Sequence, residues 1–350
     1  MANKKQLTPR LNRNEPNIVI DGGMEIWPEG TSRSVANNTS AYGAVLFKCA
    51  NTSTGITLTT SQQASIPSGT NIPFSNQISK TAAGTLAAGT ISYLSYSAEG
   101  YDINRLINDE SSLVFWVKSS VASNRSVSIQ NNSGSHAYVQ QYNIATANVW
   151  QLVVLKLPAL STCPGTIEKT NGAGLNIIFS IVNGTTFQTS SLSSWIAGPK
   201  FSGVGEDTTW LTGTTHDFSI AGVMVLPGDF RSLSTNTSAY RFLRAGRNFQ
   251  DELAMSERYY EITIFAAETS LASGSQTGLG AVAWRVQKRT TPTVDSQGNS
   301  TANSLRNQNT GATVTGMNFG PSIYGTQIRF TGAQTDNVLY AGGVTADARF

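Results

Sequence analysis

From Asn17 onward the chain is written in short apolar runs that alternate with polar residues, broken by clusters of Gly, Asn, Ser and Pro. Successive side chains of an extended chain point to opposite faces, so this alternation predicts half-buried strands. "LVFWVKSS" sets Leu113, Phe115 and Val117 on one side, with Val114, Trp116 and Lys118 on the other. "SVSIQNNSGSHAYVQQYNI" reads as a hairpin, two alternating runs around Asn131-Asn132-Ser133-Gly134. "NIVIDGG" predicts a strand into an Asp-Gly-Gly turn, and "TGITLTTS", "VWQLVVLKLP" and "HDFSIAGVMVLPGDF" predict further strands. "GLNIIFSIV" is apolar enough to be buried on both faces. Residues 71–90, rich in Ser, Thr, Ala and Gly, predict a loop. Many short strands with turn clusters between them, and no strand–helix alternation, predict an all-β jelly-roll sandwich.

One segment departs from this pattern. In "NFQDELAMSERYYEITIF", residues 248–265, Phe249, Leu253, Ser256 and Tyr260 recur at helical spacing, with Met255 and Tyr259 widening the stripe. Asn248 suits an N-cap, and Asp251 and Glu252 fall in the first turn, where the helix dipole favours anions. A helix this short does not stand alone, so its stripe must dock, on its own sandwich or on two symmetry mates. The second arrangement is the one expected, with Phe249, Leu253 and Tyr260 in a trimer interface about a threefold axis. After Ile264 the alternation returns in "AVAWRVQKRTTPTV", "TGATVTGMNFG", "TQIRFTG" and "NVLYAGGVTADARF", predicting a second, smaller β domain. The expected organisation is an arm over 1–15, a jelly roll over 16–245, a linking helix over 246–262 and a C-terminal β domain over 263–350.

Composition narrows the class. A chain of 350 residues can hold two cores. Charged residues make up 13%, about half of the ~25% usual in soluble domains, so hydroxyls and amides supply the polar surface. The net charge of +3 forms no stripe, and no nucleic-acid partner is expected. Lys4, Lys5, Arg10 and Arg13 make the arm locally basic. Cys49 and Cys163 fit neither a disulfide scaffold nor a zinc site and read as core or loop thiols. The N-terminus lacks the apolar stretch of a signal peptide, and no run approaches the ~18 apolar residues of a span. A soluble protein made in a cytoplasm, without membrane insertion, is expected.

Six segments in order resemble a bacteriophage tail-fibre and virion-appendage family with a carbohydrate-binding-module-like jelly roll. They are "NIVIDGGMEIWPEGTS" with its tryptophan and Gly-Thr, "FWVKSS", the Trp150–Leu157 strand, "SIAGVMVLPGDF", the "ELA…RYYE" helix, and a β tip with "RTTPTV" and "ADA". The resemblance spans nearly the whole chain. It implies a homotrimer located in the virion, most often serving attachment to host surface polysaccharide as a fibre or spike. It also implies that a short N-terminal segment docks on other virion proteins, which gives the basic arm a role. A head fibre or a capsid or tail decoration protein, purely structural, is the alternative, and a depolymerase the third reading.

The candidate chemistry is sparse. His216 and Asp217 are neighbours on a predicted strand and so point apart, which argues against a Ser-His-Asp triad. Paired carboxylates for glycoside hydrolysis must face each other across ~5–10 Å. Asp109-Glu110 and Glu206-Asp207 are adjacent and read as solvated turn acids. No enzyme activity and no cofactor are expected. Asp102, Asn104, Asp109 and Glu110 offer oxygen donors without calcium-loop spacing, so no metal site is expected. For glycan binding, Trp116 and Lys118 face outward, His136, Tyr138, Gln140 and Tyr142 share one face, and Ser128 and Gln130 align with it. Rings for sugar C–H groups beside polar tips for hydroxyls make such a face a recognition surface. The same face also fits a subunit contact or a plain solvated sheet. Trp284, Tyr324 and Tyr340 form a second aromatic set at the tip, where cross-strand pairing is the ordinary role.

Overall fold

The computed structural model describes residues 17–206, 208–231, 247–269, 274–296, 306–307, 318–334 and 338–350. For 265–269, 274–279, 306–307, 329–334 and 338–342 only the backbone course is described. The arm over 1–15 lies outside these residues. Two compact units divide at Met1–Asn248 and Phe249–Phe350.

The first unit begins with β1 (Ser32–Val35), β2 (Thr39–Tyr42), β3 (Phe47–Asn51), β4 (Leu58–Gln63), β5 (Ser75–Lys80) and β6 (Ile91–Glu99). It continues through β7 (Ser111–Ser119), β8 (Ser123–Gln130), β9 (His136–Ile144), β10 (Gln151–Leu157) and β11 (Ala173–Asn183). The short β12 (Gln188–Thr189), β13 (Trp195–Ala197) and β14 (Ser202–Gly203), a helical turn α1 (Thr209–Thr212) and β15 (His216–Pro227) complete it. A six-stranded sheet ordered β1-β4-β5-β15-β7-β10 faces a seven-stranded sheet ordered β13-β9-β8-β11-β6-β3-β2. All their pairings are antiparallel, and the chain is an all-β jelly-roll sandwich followed by a short helix and a smaller β unit.

The core forms where the two inner faces meet. Leu113, Phe115 and Val117 of β7 are fully buried, as their alternation predicts. Phe115 meets Phe179 of β11 edge-on at 5.0 Å and Tyr142 of β9 at 5.4 Å. β11 is buried along nearly its whole length on both faces, again as its apolar run predicts. Cys49 is buried in this core, and burial pushes its thiol up to about 12.

Two elements differ from expectation. Residues 17–23 form no strand but a buried turn held by side chains. Asn17 donates to Val223 O at 3.1 Å and accepts from the Val225 amide at 2.9 Å, while the Asp21 carboxylate accepts from the amides of Glu25 and Ile26. Polar side chains satisfy the backbone there in place of a ladder. Residues 75–80, read as loop, form β5, with Asn76, Ile78 and Lys80 inward and Ser75, Gln77 and Ser79 outward. Two of its inner polar groups find partners that the local sequence does not show, while Asn76 Nδ2 is left without one. Thr60 donates to Asn76 Oδ1 at 2.8 Å, and the Lys80 ammonium donates to the carbonyls of Ala82 and Gly213 above the Trp210 ring.

The second unit opens with α2 (Phe249–Glu257), then β16 (Tyr260–Thr269), β17 (Gly274–Ala283), β18 (Thr293–Ser296), β19 (Arg306–Asn307), β20 (Asn318–Ser322), β21 (Gly325–Gln334) and β22 (Val338–Asp347). β22 pairs with β16, β18 and β19, and a separate sheet runs β17-β21-β20. The helix ends at Glu257, so Tyr260 lies in β16 opposite Asp347, and its ring carries the Arg349 guanidinium at 4.1 Å. The Tyr260 side chain is therefore not part of a helical stripe. The buried positions of α2 are Glu252, Ser256 and Glu257, whereas Phe249 is 39% exposed and Leu253 half-buried. Buried charge replaces apolar packing because Arg285 bonds Glu257 at 2.5 Å and Lys288 bonds Glu261 at 2.6 Å. No described helix is long and apolar enough to cross a membrane.

Candidate functional site

Antiparallel register assigns every outward side chain of the six-stranded sheet to a row across the strands. One row runs Lys118, Ser219, Gln77, Ser61 and Ser32, from β7 through β15, β5 and β4 to β1. Beside it runs Asp217, Ser79, Thr59 and Ser34. On the other side Ala221 of β15, Trp116 of β7 and Leu152 of β10 form an apolar row. Trp150, two residues before Leu152, shares its face. The Lys118 ammonium lies 5.3 Å from the Trp150 ring centroid and donates to Ser65 Oγ at 2.9 Å. One sheet face thus holds two half-buried indoles beside a field of hydroxyls and amides, with Lys118 and Asp217 in it and Lys156, paired with Glu110, at the β10 edge.

The aromatic end is braced from the side, by apolar residues on the same outer face. Ile72, Val114, Ala221, Met224, Leu226 and Phe230 form a buried cluster against which Trp116, Trp150, Leu152 and Val154 pack. A bulge between Ala221 and Met224 admits Ile72, because Gly222 adopts φ +60 and a side chain there would strike Ile72 at 2.6 Å. On the floor of the face, Asp217 Oδ1, Ser219 Oγ and Trp150 Nε1 are shielded from solvent and have no protein partner. Such groups are costly unless something bonds them.

The opposite face of the sandwich is filled by the chain itself. The stretch over 184–206 lies across the outside of the seven-stranded sheet, where Lys200 O accepts from Ser128 Oγ at 2.5 Å and from Gln130 Nε2 at 3.1 Å. The Gly203 amide donates to Ser126 Oγ at 3.0 Å, and Gln141 donates to Val204 O at 3.2 Å. Phe201 packs on Tyr93 at 5.2 Å and stacks on Phe187 at 4.8 Å.

The residues expected to make one recognition face are therefore dispersed. Trp116 and Lys118 do face outward and lie on the surface just described. His136, Tyr138, Gln140 and Tyr142 share a face, but it belongs to the seven-stranded sheet and points toward the other sheet; Tyr142 is buried against Phe115. Tyr138 is half-buried at the edge against Trp195, ring centroids 5.6 Å apart. Gln130 pairs with Ala137, and Ser128 with Val139, so both point away from the tyrosines and are covered by Lys200. A one-residue difference in register moves a side chain to the other face. Gln77, Trp150, Asp217 and Ser219 join Trp116 and Lys118 instead. Their partnership arises from strands far apart in sequence; Gln77 and Ser219 are direct cross-strand neighbours.

The acids and histidines settle into other roles. Ser120 Oγ lies 3.0 Å from His216 Nδ1, yet it also accepts the Asp217 amide at 3.0 Å, and the Asp217 carboxylate points to the other face. The group fastens a strand end. Glu110 pairs with Lys156 at 2.5 Å. Glu206, read as a solvated turn acid, is buried; Ser180 donates to it at 2.6 Å, and burial pushes its carboxyl up against the pull of Arg125. Asp207 lies outside the described residues. Among the described residues no group of three His, Cys, Asp or Glu could hold a metal ion. In the second unit Trp284 is buried and donates to Ser322 O at 3.0 Å, Tyr324 is exposed at a hairpin tip, and the Tyr340 side chain lies outside what is described.

No family model matches the chain, and no curated protein matches it. Among solved structures it is similar to the tailspike protein 4 enzymatically active domain of bacteriophage CBA120, at 16% identity and TM-score 0.30, over 52% of this chain and 19% of that one. It is similar to a putative sugar binding protein from Bacteroides thetaiotaomicron, at 12% identity and TM-score 0.34, over 61% of this chain and 100% of that one. A family 11 carbohydrate-binding module from Clostridium thermocellum, in complex with a β-1,3-1,4-mixed-linked tetrasaccharide, matches at 11% identity and TM-score 0.30, over 57% and 96%.

Proposed function

We propose that this chain binds glycans through the outer face of its six-stranded sheet and serves as a virion appendage protein, fibre- or spike-like, attaching to host surface polysaccharide. The observation that carries the binding reading is the row of Lys118, Ser219 and Gln77 beside Trp116 and Trp150, with unpartnered polar atoms on its floor. Indole faces accept sugar C–H groups, and short polar side chains on rigid strands fix the hydroxyls. The appendage reading rests on the ordered segments that resemble the phage family. The test is a glycan array probed with the purified protein and with Trp150→Ala. Wild-type protein binds a discrete set of glycans, and the variant, still melting cooperatively, binds them at least about tenfold more weakly, a loss of ~1.4 kcal/mol. Absence of any glycan signal sinks the binding reading and favours a bracing role in the particle.

The appendage works as a homotrimer in this reading. Phe249, 39% exposed, and Leu253, half-buried, leave apolar surface on α2 along the same stripe as its buried Ser256. Three such stripes about a threefold axis can bury one another. Leu253→Ser is expected to shift the sedimenting mass from trimer toward monomer; a variant that stays trimeric rejects this interface.

A further inference from the structure

We infer that the sheet face is specific for uncharged, hydroxyl-rich glycans and that Asp217 is the residue that sets this preference. The inference rests on the glycan-binding reading above and names the ligand class of the same surface. Asp217 projects from β15 into the row next to Lys118, Ser219 and Gln77, with Ser79 opposite it. Its backbone is fully engaged, by Ser120, by Trp210 Nε1 at 2.9 Å and by Ser119 Oγ at 3.2 Å, so the side chain's position is fixed. Its carboxylate, in contrast, receives no hydrogen bond from a described residue, and Oδ1 is shielded from solvent. No ion pair joins it to Lys118, whose ammonium is held by Ser65 and the Trp150 ring.

A carboxylate only accepts, and the hydrogen bonds it accepts are charge-assisted. The ligand group that suits it is a donor, such as a sugar hydroxyl or an acetamido N–H. An acidic polymer would bring its carboxylates against Asp217, while Lys118 balances only that one charge and Lys156 is neutralised by Glu110, so the face has no net positive charge to reward it. Like charges facing each other at a recognition surface select against the wrong partner.

The experiment measures binding of the full chain to a neutral hexose polymer, an N-acetylhexosamine polymer and a uronic-acid polymer of matched length, at low and high salt. A neutral polymer is expected to bind with little salt dependence and the uronic-acid polymer at least about tenfold more weakly. Asp217→Asn keeps the shape, loses the charge, and is expected to weaken neutral binding about tenfold while narrowing the gap to the acidic polymer. Preference for the acidic polymer that Trp150→Ala abolishes would overturn this inference and leave the surface assignment standing. Tight neutral binding untouched by Asp217→Asn would overturn it as well. If no polymer binds, both readings fall together.

Discussion

Exchanging Lys288 for alanine lowers the stability of the C-terminal unit by about 3–5 kcal/mol. The Lys288 and Glu261 side chains are wholly withdrawn from solvent and meet at 2.6 Å. Lys288 also donates to the Glu257 carbonyl, which ties the strand opening at Tyr260 to the last turn of α2. Burial pushes the lysine down and Glu257 up, and only the mutual pairing of these groups keeps charge affordable there. With the ammonium gone, Glu261 retains the Arg285 amide at 3.2 Å and the half-exposed Arg285 guanidinium at 3.3 Å, while Glu257 competes for the same arginine at 2.5 Å. An uncompensated buried carboxylate is the costly product. Urea unfolding followed by fluorescence reads the effect, since Trp284 lies 5.7 Å from the Lys288 ammonium and within the same unit. The double variant Lys288→Met, Glu261→Leu should lose less than Lys288→Ala, because it removes both charges together. A single variant that loses under about 1 kcal/mol would show the pair to be a surface-like contact.

The same network shows where the sequence stops being readable. The start of α2 and its acidic first turn are legible in "NFQDELA", since caps and dipoles act within a few residues. The side on which the helix is buried is legible only in part, since Ser256 of the expected stripe is buried while Phe249 is exposed. Helical periodicity counts apolar positions, yet Glu257 is among the buried ones because Arg285 and Lys288 arrive from about thirty residues downstream. β5 is hidden for a similar reason. "SNQISK" has one aliphatic residue, and its inward Asn76 and Lys80 are tolerable only because Thr60, Gly213 and Trp210 meet them. β7, with Leu113, Phe115 and Val117 in strict alternation, needs no distant help and is read correctly.

The candidate site divides along the same line. That Trp116 and Lys118 point outward follows from alternation within one strand. Which residues join them depends on sheet order, and β15 lies between β5 and β7 although about 140 residues separate it from the first and about 100 from the second. Gln77, Asp217 and Ser219 could therefore not be grouped from local pattern. Local alternation groups Gln130 with the tyrosines of β9, but the loop over 131–135 sets a register in which it pairs with Ala137. Loop length fixes register, and register fixes the face.

Two neighbouring substitutions in β7 separate the core from the recognition surface. Phe115→Ala is expected to cost the first unit about 3–5 kcal/mol, the usual range for emptying a buried ring site. Phe115 is fully buried, lies between Phe179 and Tyr142 in edge-on contact, and pairs with Val153 across the ladder, so the neighbours have little freedom to collapse inward. That loss is a large fraction of the 5–15 kcal/mol that holds a typical domain folded. Trp116→Ala, one position along, removes a larger ring from a half-buried place beside Leu152 and Ala221 and should cost only about 1–2 kcal/mol. Binding reverses the order of importance. Trp116→Ala should weaken glycan binding about tenfold in a protein that still melts cooperatively, because its indole belongs to the open face. Phe115→Ala, measured at a temperature where the unit remains folded, should bind nearly as the parent does. Equal stability losses for the two variants would mean that β7 does not separate an inner from an outer face. The rows built on its register, and the surface they define, would then have no basis.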